Sequence, residues 1–149
     1  MRSPSSPPIS VLLSLSVALL ASGAGCSRAK EGDGQAAEHR VPVTIATVSV
    51  DELDQMLAGS DCQAVDANGA STRREMGVIP GAVLLTDADS IDKLPGDKAR
   101  NLVFYCTNTA CGASHHAARK AITAGYTHVN VLPDGIAGWV KAGKKTSSI

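Results

Sequence analysis

The chain has 149 residues, with 14 basic side chains against 14 acidic ones and a formal net charge of zero. Such a balance creates no global field to gather nucleic acid or an anionic surface, so no nucleic-acid partner is expected. Aromatic residues make up only 3% of the sequence, so the core must be built from Val, Ile, Leu and Ala, and the length suits one domain.

Residues 1–26 carry the pattern of an export signal. Arg2 gives a weakly positive start, ISVLLSLSVALL (9–20) is an apolar core, and ASGAGC (21–26) is a small-residue cleavage region. That core is shorter than the roughly 20 residues a permanent membrane helix needs. Ala24-Gly25-Cys26 resembles the end of a bacterial lipoprotein processing site, with Gly23 where such sites usually carry leucine. The resemblance implies lipidation at Cys26 and a domain on the periplasmic side of a bacterial membrane, attached by acyl chains rather than embedded. An ordinary cleaved secretory signal is the alternative. SRAKEGDGQAAEHR (27–40) mixes charge, Gly and Ala without an apolar period and reads as a flexible linker.

A domain is expected over 41–145. VPVTIATV (41–48) is rich in β-branched residues and suits a first strand. Ser49 and Glu52 form a capping-box pattern opening a helix with Leu53, Met56 and Leu57 on one face, stopped by Gly59. CQAVDA (62–67) reads as a short buried strand, STRREMG (71–77) as a short helix with Arg73 and Arg74 on a solvated face, and AVLL (82–85) as a strand after the turn at IPG. DADSIDKLPGDKAR (87–100) is a polar connector with one helical turn at most. NLVFYC (101–106) is the strongest strand signal, a continuous apolar run of the kind found in a central parallel strand covered on both faces. ASHHAARKAITAGY (113–126) is predicted as a helix, HVNVLP (128–133) as a strand and IAGWVKAG (136–143) as a final helix, with Trp139 in the core. KKTSSI (144–149) leads into solvent, leaving 146–149 as a tail. Strands alternating with helices imply an α/β fold with a mainly parallel central sheet and helices on both faces.

Ligands of open parallel sheets gather at the carboxyl ends of the strands. YCTNTACGASHH (105–116) occupies such a place: a strand end, Cys106, a loop, then a helix start. Cysteine reacts as its thiolate. Residues 107–112 carry no charged side chain, so an anion there must be held mainly by backbone N–H groups and the helix terminus. Ala110, Gly112 and Ala113 are small enough for a tight curl. These features make Cys106 the candidate nucleophile, against the plainer reading of a buried thiol.

VDANG (65–69), GVIPGAVLL (77–85), LVFYC (102–106), AGYTHVNVL (124–132) and DGIAGW (134–139) resemble, in order and spacing, a rhodanese-like domain. The resemblance covers about 49–143. It implies a sulfurtransferase that moves sulfane sulfur through a persulfide on Cys106 to a thiol or other nucleophilic acceptor, by covalent catalysis without a cofactor. It also implies that Thr107, Asn108, Thr109, Ala110, Gly112 and Ala113 form the substrate-binding loop and that Asp66 supports it by hydrogen bonding. Several positions depart from the family pattern. The segment from Cys106 to Gly125 is long, the loop TNTACG lacks the usual arginine, Val78 stands in place of histidine, DGI replaces GGI at 134–136, and Asn68 sits near where an arginine is usual. Without a loop cation, a thiosulfate donor is disfavoured. Phosphoryl or arsenate chemistry on the related C-x5-R loop is disfavoured too, because the arginine place falls on Gly112.

Cys111 is the distinguishing residue. It could act as a resolving thiol toward Cys106, or pair with it as a permanent staple, and a reversible Cys106–Cys111 disulfide gives the alternative function of a redox or sulfide-sensing module without turnover. A metal site built from Cys106, Cys111, His115 and His116 is disfavoured, since adjacent helical histidines point about 100° apart, and no metal is expected. Cys62 reads as a small buried residue, His39 as a solvated residue of the linker, and His128 as a residue without an evident partner. The expected partners are a small-molecule or protein sulfur donor and a thiol acceptor, with the membrane reached through the anchor and the protein a monomer.

Overall fold

The computed structural model describes residues 44–149; the signal pattern, Cys26 and the linker lie outside the described residues. The elements run β1 (Ala46–Thr47), α1 (Val50–Ala58), β2 (Gln63–Asp66), α2 (Ala70–Met76), β3 (Val83–Leu84), β4 (Leu102–Tyr105), α3 (Ala113–Thr123), β5 (Val129–Leu132) and α4 (Gly135–Lys141). The strands form one sheet in the order β1-β5-β4-β2-β3, and every pairing in it is parallel. The expected α/β architecture is therefore present. The first strand is shorter than 41–48, and the 87–100 connector forms turns without a named helix. The connector is tied down by the Tyr126 hydroxyl, which donates to the Pro95 carbonyl at 2.5 Å, and by Lys98 over the Tyr126 ring.

The two-residue period of the strands divides the core. Val65, Phe104 and Val131 face one side and pack with Ala117, Ala118 and Ala121 of α3. Ala64, Val103, Tyr105 and Leu132 face the other, against Val50 and Leu53 of α1 and Ile136 and Trp139 of α4. Each large apolar side chain removed from water this way contributes about 1.5–3 kcal/mol. Leu53 sits on α1 because the capping box forms as expected: the Ser49 hydroxyl accepts from the Glu52 N–H, and the Glu52 carboxylate accepts from the Ser49 N–H at 2.7 Å. That reciprocal cap contributes about 1 kcal/mol. On α3 the buried face is Ser114, Ala117, Ala118 and Ala121.

The carboxyl edge of the sheet is fixed by a buried carboxylate. Asp66 and Tyr105 stand side by side in register at the ends of β2 and β4, and the Tyr105 hydroxyl donates to Asp66 Oδ2 at 2.8 Å. The same hydroxyl accepts from the Ile79 N–H at 3.0 Å, tying in the segment before β3. The Asn68 N–H donates to Asp66 Oδ1 at 2.6 Å. Arg73 closes the group: its Nε lies 3.5 Å from Asp66 Oδ1, and its Nη2 donates to the carbonyls of Asp66 and Leu85. Arg73 is thus buried, which corrects the expectation of a solvated face; an inward carboxylate recruits a cation because an unpaired buried charge is costly. Burial, and then the Asp66 charge, push the Tyr105 hydroxyl far above its ordinary pKa, so it stays a donor.

The chain end also differs from expectation. Residues 145–149 are exposed, yet Ser147 pairs with Val78 in an isolated antiparallel bridge and the Trp139 indole N–H donates to the Lys145 carbonyl at 2.8 Å. Gly77 makes room for this return, for a Cβ there would meet Ser147 O at 2.9 Å and its φ is +76°.

Replacing Tyr105 by Phe leaves one Asp66 oxygen and the Ile79 N–H unpaired in the interior. The expected loss is about 1–3 kcal/mol, read as a lower urea midpoint at unchanged slope. An unchanged midpoint would show that the Asp66 group is not holding this edge.

Candidate active site

Cys106 follows Tyr105 directly and so lies just beyond the end of β4, between β2 and β5. Its carbonyl and that of Thr107 accept from the N–H groups of Ile136 and Ala137 at 2.9 and 3.0 Å. The otherwise unpaired N–H donors in the first turn of α4 therefore find their acceptors in the carbonyls of the Cys106 loop. This approach requires Gly135, whose φ is +60° and whose Cβ, if present, would sit 2.6 Å from the Thr107 carbonyl oxygen. The DGI of the sequence thus keeps the glycine that the loop needs.

The loop then turns on itself. Asn108 holds its far side: its carbonyl accepts from the Cys111 N–H at 3.0 Å, and its side-chain oxygen accepts from the Ala110 N–H at 3.0 Å. Thr107 Oγ1 donates to Asn68 Oδ1 at 2.8 Å, joining the loop to the segment after β2. Asn68 is buried, and its Nδ2 has no hydrogen-bond partner among the described residues. Asn108, Thr109, Ala110 and Gly112 are exposed, while Thr107 and Ala113 are partly covered.

Cys106 is only 1% exposed. Its sulfur donates to the Cys111 carbonyl at 3.0 Å and lies 3.3 Å from the Ser114 hydroxyl. Burial and the contact with the Cys111 thiol raise its pKa, against smaller lowering by the hydroxyl and backbone N–H of Ser114. Cys111 is partly exposed, and its environment acts the other way. Burial raises its pKa, but the Cys106 thiol and the N–H groups of Thr107 and Ala113 together outweigh that, and the net direction is down. The polar contacts of the Cys106 sulfur are the Cys111 carbonyl and the Ser114 hydroxyl rather than a ring of loop amides. Asn108 engages the Ala110 and Cys111 amides within the loop. Both cysteines are free thiols.

Ser114 carries no special signal in the sequence, beyond standing in the first turn of the helix after the loop. Asp66 serves the strand ends rather than the sulfurs: its hydrogen bonds to the Tyr105 hydroxyl and the Asn68 N–H and its ion pair with Arg73 set the positions of those ends. His116 turns to Asp89, with Nε2 2.8 Å from Oδ1, where Lys120 also binds. His115 is half-buried. Cys62 is buried at the amino end of β2, level with Asn101, and so lies at the opposite edge of the sheet. His128, read as partnerless, has Nδ1 near Thr127 Oγ1 and the Ala99 carbonyl. Among the described residues no group of three or more His, Cys, Asp or Glu side chains gathers as a metal site. Beside the loop an open depression of ≈ 540 Å³ is lined by Val50, Asn108, Thr109, Asp134, Ala137 and Lys141, among others.

Residues 49–142, more than half of the chain, match the family model described as Rhodanese-like domain. No curated protein matches by sequence. Solved structures share the fold at low identity. The rhodanese-like domain of the Alr3790 protein from Anabaena sp is 22% identical with a TM-score of 0.58, over 71% of this chain and 81% of that one. A human single domain sulfurtransferase is 21% identical with a TM-score of 0.55, over 66% of this chain and 97% of that one. The 3-mercaptopyruvate sulfotransferase SseA of Escherichia coli is 22% identical with a TM-score of 0.56, over 71% of this chain and 52% of that one. The match of residues 49–142 shows that the chain belongs to the rhodanese-like domain family.

Proposed function

We propose that the protein is a sulfurtransferase that stores sulfane sulfur as a persulfide on Cys106 and yields it to a thiol acceptor. The observation that carries this reading is the seat of the Cys106 sulfur, at the carboxyl end of the central strand and 3.3 Å from the hydroxyl of Ser114 in the first turn of α3. A terminal persulfide sulfur is anionic, and both the Ser114 hydroxyl and the positive end of the helix stabilise that charge. Burial of Cys106 shields the loaded sulfur from solvent thiols. In each transfer a sulfur–sulfur bond to the donor breaks as one to the protein forms, and the donor leaves as a thiolate, so no net oxidation occurs. Thr107, Asn108, Thr109, Ala110, Gly112 and Ala113 form the rim over which donor and acceptor approach, and Asp66 supports it from below.

After exposure to an organic persulfide, the reduced protein should become one sulfur atom heavier by mass spectrometry, and Cys106→Ser should abolish stable loading. Stable loading that survives Cys106→Ser removes Cys106 as the carrier. A product two hydrogens lighter, without added sulfur, instead favours the reversible Cys106–Cys111 disulfide of a redox module, a reading supported by the hydrogen bond that joins the Cys106 sulfur to the Cys111 carbonyl.

The reactivity of the thiols should separate with pH. Only the thiolate alkylates, so the rate at each cysteine rises through that group's pKa. Cys111 lies below the ordinary value of 9.0 and Cys106 above it. Titration with iodoacetamide should therefore modify Cys111 at lower pH than Cys106, as located by peptide fragmentation. The reverse order would overturn the charge assignment within the pair.

The reading extends to location. The leader pattern of residues 1–26 supports export and lipid attachment at Cys26, with the domain on the periplasmic side of a bacterial membrane and working as a monomer. In a bacterial host, palmitate label should enter the wild-type chain and be lost in Cys26→Ala. Equal labelling of both would remove Cys26 as the anchor.

A further inference from the structure

Capture of sulfur from a donor needs a thiol that is accessible and ionised, whereas keeping it needs a covered seat. The loop divides these properties between its two cysteines. Cys106 is 1% exposed, and its S–H is spent on the Cys111 carbonyl at 3.0 Å. A donor cannot reach that sulfur without displacing the loop. Cys111 is partly exposed at the loop surface, between the exposed residues Ala110 and Gly112. Its pKa is lowered, with the neighbouring Thr107 and Ala113 N–H groups among the causes, so the accessible thiol is also the more readily ionised one. The Cys106 sulfur lies 3.0 Å from the Cys111 carbonyl oxygen, so the two cysteines adjoin. A sulfur atom taken up by the exposed residue is thereby carried to the residue next to the buried thiol.

We propose that Cys111 is the receiving thiol of a two-cysteine relay, taking sulfane sulfur from the donor and passing it inward to Cys106. The inference rests on the sulfurtransferase reading and adds the route by which the sulfur arrives. In the first step the Cys111 thiolate attacks the outer sulfur of a donor persulfide R–S–S⁻. The bond between the donor's two sulfurs breaks, R–S⁻ departs, and Cys111 carries –S–S⁻. In the second step the Cys106 sulfur attacks that outer sulfur, giving Cys106–S–S⁻. The proton of the Cys106 thiol passes to the Cys111 sulfur, which leaves as a thiol. Both steps exchange one sulfur–sulfur bond for another and conserve charge, so no oxidant or reductant is consumed. Ser114 then serves the loaded state, since its hydroxyl lies 3.3 Å from the Cys106 sulfur.

The relay is tested on the full chain with glutathione persulfide as the probe. Samples are quenched at short times by alkylation and the added sulfur is located by peptide fragmentation. In the wild type the added sulfur should be found first on Cys111 and later on Cys106. Cys111→Ser should load Cys106 about tenfold or more slowly, since only an un-ionised, covered thiol remains. In Cys106→Ser the added sulfur should stop on Cys111 and be lost to any added thiol. Wild-type-rate loading of Cys106 in the Cys111→Ser chain, or first appearance of the sulfur on Cys106 in the wild type, overturns the relay alone. A wild-type protein that gains no sulfur at all overturns the transferase reading and the relay with it.

Discussion

The carboxylate of Asp66 is the constraint on which the site depends. It is fully buried, and three groups from different parts of the chain satisfy it: the Tyr105 hydroxyl, the Asn68 N–H and the Arg73 guanidinium. A buried charge left short of partners costs several kcal/mol, so the arrangement admits little slack. Tyr105 is the residue before Cys106, and Asn68 holds Thr107, the residue after it. The carboxylate therefore fixes the strand end from which the sulfur projects without touching the sulfur. Leu85 is drawn into the same group through its carbonyl on Arg73, so three adjacent strands are tied together at their carboxyl ends.

From that fixed edge the loop is shaped by close approach and by competition for N–H groups. Gly135 lets α4 begin against the carbonyls of Cys106 and Thr107 and gives them donors. Asn108 then binds two amides inside the loop. The Thr107 and Ala113 N–H groups are among the causes that lower the Cys111 pKa, while the Ser114 hydroxyl lies near the Cys106 sulfur. The electrostatic difference between the two cysteines thus needs no charged side chain.

Much of this fold is legible in the sequence because it rests on local rules. The Ser49–Glu52 cap, the apolar run of β4, the glycine stops and the alternation of strands with helices each depend on neighbours a few residues apart. The position of Cys106 at a strand end is legible for the same reason. Arg73 is not, because its burial is decided by a carboxylate on another element, and STRREM alone looks equally polar on all sides. The return of Ser147 to Val78 is hidden too, since it depends on an open backbone at Gly77 and not on any hydrophobic period. That Asn108 engages two of the loop amides is a three-dimensional fact about one residue.

The absence of a cation in the loop bears on which sulfur compounds the site can hold. A dianion such as thiosulfate presents charged oxyanion oxygens, whose stabilisation calls for a guanidinium or ammonium group in direct contact. Residues 107–112 provide none. Lys141 lines the depression beside the loop, but Asp134 lines it as well and offsets its field. What the site does provide is the Ser114 hydroxyl 3.3 Å from the Cys106 sulfur, at the start of α3. A persulfide matches that supply, because it carries a single charge on sulfur and its remaining atoms ask for no cation. The same reasoning that disfavours oxyanion donors therefore favours persulfides.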